Sequence, residues 1–245
     1  MISLSHFNGC SAAFFDRHGG NGKSPYAERN ISYGVGDDDE IVVKNRESVR
    51  EALGVDRLIS ANQVHGDKVF CYTDQLPENE EIDGVDALMT QEKGVGLMIQ
   101  QADCQAVLIH DPAKEAIAAI HCGWRGSVNG IIGKTIDRMR DCFGTLPADL
   151  RAAVSPSLGP CCAEFINWRQ ELPEQFLDFR TGDRYFDFWR ITGMQLLEAG
   201  VPESAVTFSG ICTVCSRDYF SYRRACRQGE GITGRNCSVI ALRQG

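Results

Sequence analysis

Four short apolar runs, each bounded by turn-forming residues, constrain the fold of this 245-residue chain more than any other feature. They read KVFCY, VGLMI, AVLIH and AIAAI, at residues 68–72, 95–99, 106–110 and 116–120. Runs this short and this apolar predict strands that are buried on both faces. Further strands are predicted by LRAAVSP (150–156), AVTFSG (205–210) and SVIALR (238–243).

Helical patterns lie between these strands. Residues 44–54 place Val49 and Leu53 one helical turn apart, and Gly54 supplies a stop. A second helix is predicted from a cap at Ser127 to a stop at Gly144, and residues 170–200 hold further helical sequence. The apolar stripe of the second helix consists of Val128, Ile131, Ile132, Ile136, Met139 and Phe143. Interspersed helices and strands without a strict βαβ order predict an α+β fold, with residues 1–245 as a single domain.

Composition narrows the classes of function. A net charge of -8 argues against non-specific binding to nucleic acid, which depends on lysine and arginine. No apolar run approaches the roughly 18–20 residues of a membrane helix, and MISLSHFNGC lacks the features of an export signal. With 11 cysteines and no export signal, free thiols and a cytoplasmic location are expected. These observations are compatible with a small anionic ligand in a local basic pocket, and they leave the oligomeric state open.

Three reactive residues interrupt apolar sequence near the ends of predicted strands. His65 lies in ANQVHGDKV (61–69), Cys104 in QQADCQAVLIHD (100–111), and His121 in IHCGWRG (120–126). Two imidazoles and one thiolate suit Zn²⁺, and three protein ligands leave a fourth position for water or substrate. The gaps between these residues match no zinc-finger spacing. The pattern by itself therefore also fits a purely structural interpretation, in which His65 caps a turn, Cys104 is a core thiol and His121 is a buried, hydrogen-bonded histidine.

A nucleophilic cysteine is the second interpretation of the same residues. His121 or His65 would lower the pKa of the Cys104 thiol, and Asp103 or Asn62 would orient the imidazole. A zinc thiolate and a nucleophilic thiolate are not distinguished by these spacings.

Two arginines beside glycines are candidates for binding an anion. Arg17 lies in DRHGGNGKSPY (16–26), which lacks the spacing of a P-loop. Arg125 lies between Gly123 and Gly126, where Trp124 offers a flat apolar wall. We rank Arg125 as the better candidate.

The remaining cysteines predict no further site. CTVC (212–215) is a lone C-x-x-C without an evident second pair, so we interpret these as packing cysteines. GPCCAEF (159–165) is interpreted as a tight turn, and His110 as a structural residue.

Taken together, the motifs resemble those of the YfiH-like family, which is named both for multicopper polyphenol oxidoreductases (laccase domains) and for purine nucleoside phosphorylases. The resemblance runs over nearly the whole chain. It is carried by DRHGG, SPYAERN, VGDD, NR (45–46), NQVHG, DGVDALMT, QADC, HCGWRG, SPSLGPCC, FDFW, CTVCSRDYFSYRR and GRNCSVIAL.

The resemblance implies a four-layer α-β-β-α sandwich with mixed sheets. It implies that His65, Cys104 and His121 bind one zinc ion and form the catalytic centre. It also implies phosphorolysis of adenosine, inosine, guanosine and methylthioadenosine, with inorganic phosphate as co-substrate, and deamination of adenosine. We expect Arg17, Arg125, Asn30 and Asp103 to contact the substrate.

Other functions remain open. Some relatives are linked to the editing of cell-wall (peptidoglycan) precursors, which a Cys–His or zinc-dependent hydrolase would perform. A copper polyphenol oxidase would need several coppers and many paired histidines, but the chain has 5 histidines and no H-x-H pair. A zinc-stabilised binding module is a non-enzymatic reading. Three positions depart from the family pattern. Cys122 adds a thiol beside a metal ligand, and AERN (27–30) and Ala163 leave the substrate preference open.

Overall fold

Twelve strands form two six-stranded sheets in the computed structural model, which describes residues 1–5, 7–73 and 81–244. The strands are β1 (Ile2–Ser3), β2 (Cys10–Phe15), β3 (Arg57–Asn62), β4 (Val69–Cys71), β5 (Glu81–Asp83), β6 (Ala87–Thr90), β7 (Val95–Gln101), β8 (Gln105–Asp111), β9 (Ala116–Cys122), β10 (Arg151–Val154), β11 (Val206–Phe208) and β12 (Asn236–Leu242). The first sheet has the order β1-β2-β12-β7-β3-β5, and the second has the order β11-β10-β8-β9-β6-β4. Both sheets mix parallel and antiparallel pairs.

Helices pack on the outer face of each sheet, and other helices lie in the connecting segments. They are α1 (Asp39–Leu53), α2 (Trp124–Val128), α3 (Ile131–Phe143), α4 (Trp168–Glu171), α5 (Phe188–Glu198) and α6 (Tyr222–Gln228), with 3-10 turns at Tyr33–Val35, Pro147–Asp149, Glu174–Phe179 and Glu203–Ala205. One apolar core lies between the sheets, a second lies between the second sheet and α3 and α5, and a third joins the first sheet to α1. These layers confirm the predicted α+β four-layer sandwich. No helix in the described ranges has the length and apolarity needed to cross a bilayer.

Burial on both faces explains why the strands are so apolar. In β8, Ala106 and Leu108 face the core between the sheets, whereas Val107 and Ile109 face the helix layer. Each predicted strand is present. Some strands are longer than the apolar run that predicted them. For example, β9 continues to His121 and Cys122, because these residues still pair with β8.

The helix predicted from Ser127 to Gly144 is two helices. Ser127 lies inside α2, where its hydroxyl bonds the Gly123 carbonyl, so it does not cap a helix start. Gly130 has a φ of 71° and separates α2 from α3. Gly144 ends α3 as predicted. The apolar periodicity continues across the break and so concealed it.

Three connections cross from the first sheet to the second at one end of the sandwich. They join β3 to β4, β5 to β6, and β7 to β8. β3 is parallel to both β5 and β7, so all three strands end at the same edge. β8 and β9 are antiparallel, which brings the end of β9 to the start of β8. Residues distant in sequence therefore meet at this end.

Candidate active site

His65, Cys104 and His121 meet at the crossing end of the sandwich. The first two lie on the β3–β4 and β7–β8 connections, and His121 is the penultimate residue of β9. Their ligand atoms all lie within 4.8 Å of one another, and Cys104 Sγ is 3.8 Å from His65 Nε2. A tetrahedral zinc ion with ordinary bond lengths separates a sulfur from a nitrogen ligand by about 3.6 Å. The three residues therefore fit a metal ion.

Asp86 orients two of these three residues. It is fully buried, and its carboxylate accepts hydrogen bonds from the backbone N–H groups of Val64, His65 and Gly66 at 3.2, 2.9 and 2.7 Å. It also lies 2.8 Å from His121 Nδ1, so this nitrogen carries the proton and Nε2 is left for a ligand. Burial alone would raise the pKa of Asp86, but the bonds from His121 and Gly66 lower it. His65 has a φ of 58°, a left-handed conformation that the bonds from Asp86 hold in place.

Cys104 and His121 each favour the charged form of the other. Burial alone would raise the pKa of Cys104, but the charge of His121 and hydrogen bonds with both imidazoles lower it to about 6. Burial alone would lower the pKa of His121, but the Cys104 thiolate and Asp86 raise it to about 9. The thiolate is therefore the prevailing form of Cys104 at neutral pH, which is the form that binds metals.

Gly123 lets the three ligands approach one another. A Cβ atom at this position would lie 3.1 Å from Cys104 Sγ and 3.2 Å from His65 Cδ2. The neighbouring Cys122 is buried, and burial raises the pKa of its thiol to about 12. Cys122 is thus a neutral thiol beside the candidate metal site.

The cluster forms part of the wall of a cavity of about 1110 Å³. This volume exceeds that needed for a drug-sized ligand. Aromatic side chains line the cavity as well, among them Tyr33, Trp124, Phe165, Phe188 and Tyr222. Flat apolar walls of this kind suit a planar ring.

Three arginines that the sequence analysis did not select also line this cavity: Arg223, Arg227 and Arg235. Within residues 1–5, 7–73 and 81–244, none of them forms an ion pair with a carboxylate. Arg235 is half-buried, and burial lowers its pKa while Cys104 and Asp103 oppose that shift. Arg223 lies over the Phe165 ring and donates to the Glu164 carbonyl at 2.7 Å. An anion entering the cavity would meet these cations.

Arg17 and Arg125 do not line this cavity, and their expected role as substrate contacts stays a prediction. Arg17 Nε donates to the Ala27 carbonyl at 2.6 Å, and its guanidinium stacks on Phe220, so it holds a loop in place. Arg125 is exposed on α2 and lies over Trp124. Trp124 itself lines the cavity, so Arg125 lies next to a wall residue without lining the cavity.

Asn30 and Asp103 are occupied by internal hydrogen bonds. Asn30 is fully buried, outside the cavity lining, and its Oδ1 accepts the backbone N–H of Arg235 at 2.9 Å. Asp103 lines the cavity, but its two oxygens accept from Thr213 Oγ1 at 2.7 Å and from the Arg223 N–H at 2.6 Å. Both residues therefore position arginines of the cavity. Asp103 also has a φ of 91°, which turns the chain just before Cys104.

Comparisons with known proteins agree with this architecture. A model of the family described as "Multi-copper polyphenol oxidoreductase laccase" matches residues 11–243. The purine nucleoside phosphorylase YlmD of Geobacillus stearothermophilus is 32% identical over 97% of this chain and 92% of that protein. The purine nucleoside phosphorylase SCO2081 of Streptomyces coelicolor is 36% identical over 96% of each chain.

Solved structures share the fold over almost the whole chain. YfiH, a hypothetical protein of Bacillus licheniformis, has a TM-score of 0.88 and 28% identity over 98% of this chain and 96% of that one. YlmD from Geobacillus stearothermophilus has a TM-score of 0.88 and 33% identity over 97% of this chain and 93% of that one.

Proposed function

The chain belongs to the multi-copper polyphenol oxidoreductase laccase family, and on that premise we propose that it is a zinc-dependent purine nucleoside phosphorylase. The observation that carries the proposal is the single cavity that His65, Cys104 and His121 share with three arginines and several aromatic rings. Adenosine, inosine, guanosine and methylthioadenosine are the proposed substrates, together with inorganic phosphate. Each offers a planar base for the aromatic walls.

Phosphorolysis exchanges one bond at the anomeric carbon of the ribose. A phosphate oxygen bonds to this carbon while the bond between the carbon and the purine nitrogen breaks. The base leaves with the electron pair of that bond and takes up a proton. The reaction needs cations that hold phosphate beside the sugar. We assign this role to Arg235 and Arg223, because they face the cavity without a carboxylate partner in the described part of the chain. Asp103 and Asn30 then act as positioning residues for these arginines.

His65, Cys104 and His121 are the proposed zinc ligands. Zinc held there would supply a Lewis acid in the cavity, able to polarise a substrate atom or a water molecule. Asp86 accepts a hydrogen bond from the Nδ1–H group of His121, which keeps Nε2 available to bind the metal. We propose adenosine deamination as a second reaction of this cavity, in which water replaces the amino group and ammonia leaves.

The test compares nucleoside turnover with and without phosphate in zinc-loaded protein. We expect free adenine or hypoxanthine and ribose 1-phosphate only when phosphate is present, and ammonia from adenosine in either case. Cys104→Ala should abolish both reactions. Zinc-loaded protein that releases no base from any of the four nucleosides would exclude the phosphorylase.

A matched pair of arginine variants tests the anion site. Arg235→Met should raise the KM for phosphate by about tenfold or more, because a half-buried charge contact is removed. Arg125→Met should leave this KM unchanged, because its side chain lies outside the cavity. The opposite result would restore the role expected for Arg125 from the sequence.

A second candidate rests on the chain of Cys104, His121 and Asp86. A lowered thiol pKa, an adjacent imidazole and an orienting carboxylate are the parts of a cysteine hydrolase. Such an enzyme would cleave an amide in a peptidoglycan precursor, and removal of zinc would leave it active. Loss of activity after chelation, with recovery on adding zinc, favours the phosphorylase instead.

The cysteines suit the proposed cytoplasmic location. All 11 are free thiols in the structure, Cys104 and the buried Cys122 and Cys237 among them. A reducing compartment preserves that state.

A further inference from the structure

Four cysteines from two distant segments form a second cluster. Cys161 and Cys162 follow β10, and Cys212 and Cys215 follow β11. Their sulfur atoms all lie within 4.8 Å of one another. None of these four residues lines the cavity, so the cluster is separate from the candidate active site. The C-x-x-C motif therefore has the second cysteine pair that was not evident from its sequence context. The reason for interpreting these residues as packing cysteines, the lack of such a pair, does not hold.

The spacing of the sulfurs matches that of a tetrahedral metal site. Cys215 Sγ lies 3.7 Å from the sulfurs of both Cys161 and Cys162. Zinc bound to four thiolates at about 2.3 Å holds each pair of sulfurs about 3.8 Å apart. A disulfide would instead need about 2.05 Å between two sulfurs. The four thiols are arranged around a common centre rather than in two bonded pairs.

The backbone shapes both segments around these sulfurs. The Ser157 N–H donates to the Ile211 carbonyl at 3.1 Å, and the Thr213 N–H donates to the Ser157 carbonyl at 2.9 Å. The Gly159 N–H donates to Cys212 Sγ at 3.4 Å. A Cβ at Gly159 would lie 2.9 Å from the Cys212 Cβ, so only glycine allows this approach. N–H groups that point at a sulfur favour a thiolate, the form that binds a metal.

A half-buried arginine, Arg224, stabilises the Cys212–Cys215 turn. Arg224 Nη1 donates to the carbonyls of Thr213, Val214 and Ser216, at 2.5, 3.2 and 3.0 Å. Nη2 donates to the Tyr219 carbonyl at 2.5 Å. Four thiolates around one divalent cation carry a net negative charge, and a fixed guanidinium next to the turn offsets it.

We propose that Cys161, Cys162, Cys212 and Cys215 bind a structural zinc ion. Four sulfur ligands close the coordination shell, which is typical of structural rather than catalytic zinc. The ion would fasten the segment after β10 to the segment after β11. Both contact Asp103, through the Leu158 N–H at 2.8 Å and Thr213 Oγ1 at 2.7 Å. The ion therefore fixes the turn that presents Cys104, and its presence does not depend on which reaction the cavity performs.

Metal analysis of the full chain, purified under reducing conditions and supplied with zinc alone, tests the proposal. We expect two zinc ions per wild-type chain. Cys161→Ser/Cys215→Ser and His65→Ala/His121→Ala should each lose one ion and retain the other. Cys142→Ser is the matched control, because Cys142 is an exposed thiol outside both clusters, and it should retain both ions.

Cobalt substitution keeps the test decisive if the serine variant fails to fold. With Co²⁺ in the His65→Ala/His121→Ala chain, we expect the intense absorption of a tetrahedral four-thiolate site. Absence of that absorption, or zinc content unaffected by Cys161→Ser/Cys215→Ser, would overturn the proposal. So would disulfides among the four cysteines, seen by alkylation and mass spectrometry of protein kept under reductant.

Discussion

At the residue scale, the candidate site depends on Asp86, a side chain that is not itself one of the three proposed metal ligands. Asp86 fixes the ring of His121 and the backbone of His65 through four hydrogen bonds. We expect Asp86→Asn to weaken zinc binding by about 10–100-fold, because an amide lacks the charge that stabilises the His121 donor and presents N–H where an acceptor is needed.

Competition with a chelator measures the zinc affinity of this variant. Asp83→Asn is the matched control, since Asp83 is exposed and its carboxylate accepts a hydrogen bond from Asn62 Nδ2 at 3.2 Å. Equal zinc affinities for the two variants would show that Asp86 does not tune the site.

The sequence predicted the three candidate metal ligands better than the residues that orient them or share their cavity. His65, Cys104 and His121 stand out because each interrupts apolar sequence, and the structure brings them together. Asp86 does not stand out, although it lies in the DGVDALMT motif, because its hydrogen-bond partners lie far away in sequence, at residues 64–66 and 121. Arg223 and Arg235 belong to the SYRR and GRN motifs, but their access to the cavity is a property of the tertiary fold. The same holds for the four-cysteine cluster.

At the element scale, β12 connects the arginine-bearing segments to the sheet. The buried side chain of Asn236 donates to the carbonyls of Gln101 and Phe220, at 3.1 and 2.9 Å, and accepts the Phe220 N–H at 2.9 Å. Asn236→Ala leaves three buried backbone groups without this partner, so we expect it to lower the free energy of unfolding by at least about 2 kcal/mol. Urea denaturation measures the change.

Asn129→Ala serves as the comparison, since Asn129 is exposed between α2 and α3. A loss for Asn236→Ala no larger than for Asn129→Ala would contradict the bridging role.

Strands were predictable because burial on both faces leaves a strong apolar signal. The break between α2 and α3 was not, because both sides keep the same apolar periodicity.

At the scale of the whole molecule, one buried histidine makes stability depend on pH. His110 lies in β8 and packs against the Phe7 ring. Burial lowers its pKa from the model-compound value of 6.5, and the charge of Arg151 lowers it further, while Asp111 opposes the shift. Between the folded-state pKa and 6.5 the unfolded chain binds more protons, so stability rises with pH.

We therefore expect the contribution of His110 to be complete above pH 6.5 and to be lost as the pH falls toward the folded-state pKa. Unfolding free energies of the wild type and His110→Gln, measured on both sides of that pH, isolate the effect from other titrating groups. The variant should lose less stability on acidification than the wild type. Parallel pH profiles would refute the assignment.

The position of β12 between β2 and β7 has a consequence for biosynthesis. Until this late strand leaves the ribosome, the edge made by β1 and β2 has no neighbour to join, and Arg235 is not yet in place. Until then, β2 and β7 each lack one of the two neighbours that they have in the finished sheet. The cavity that Arg235 lines therefore forms only after translation of β12, so a small molecule can bind there only once this strand has been made.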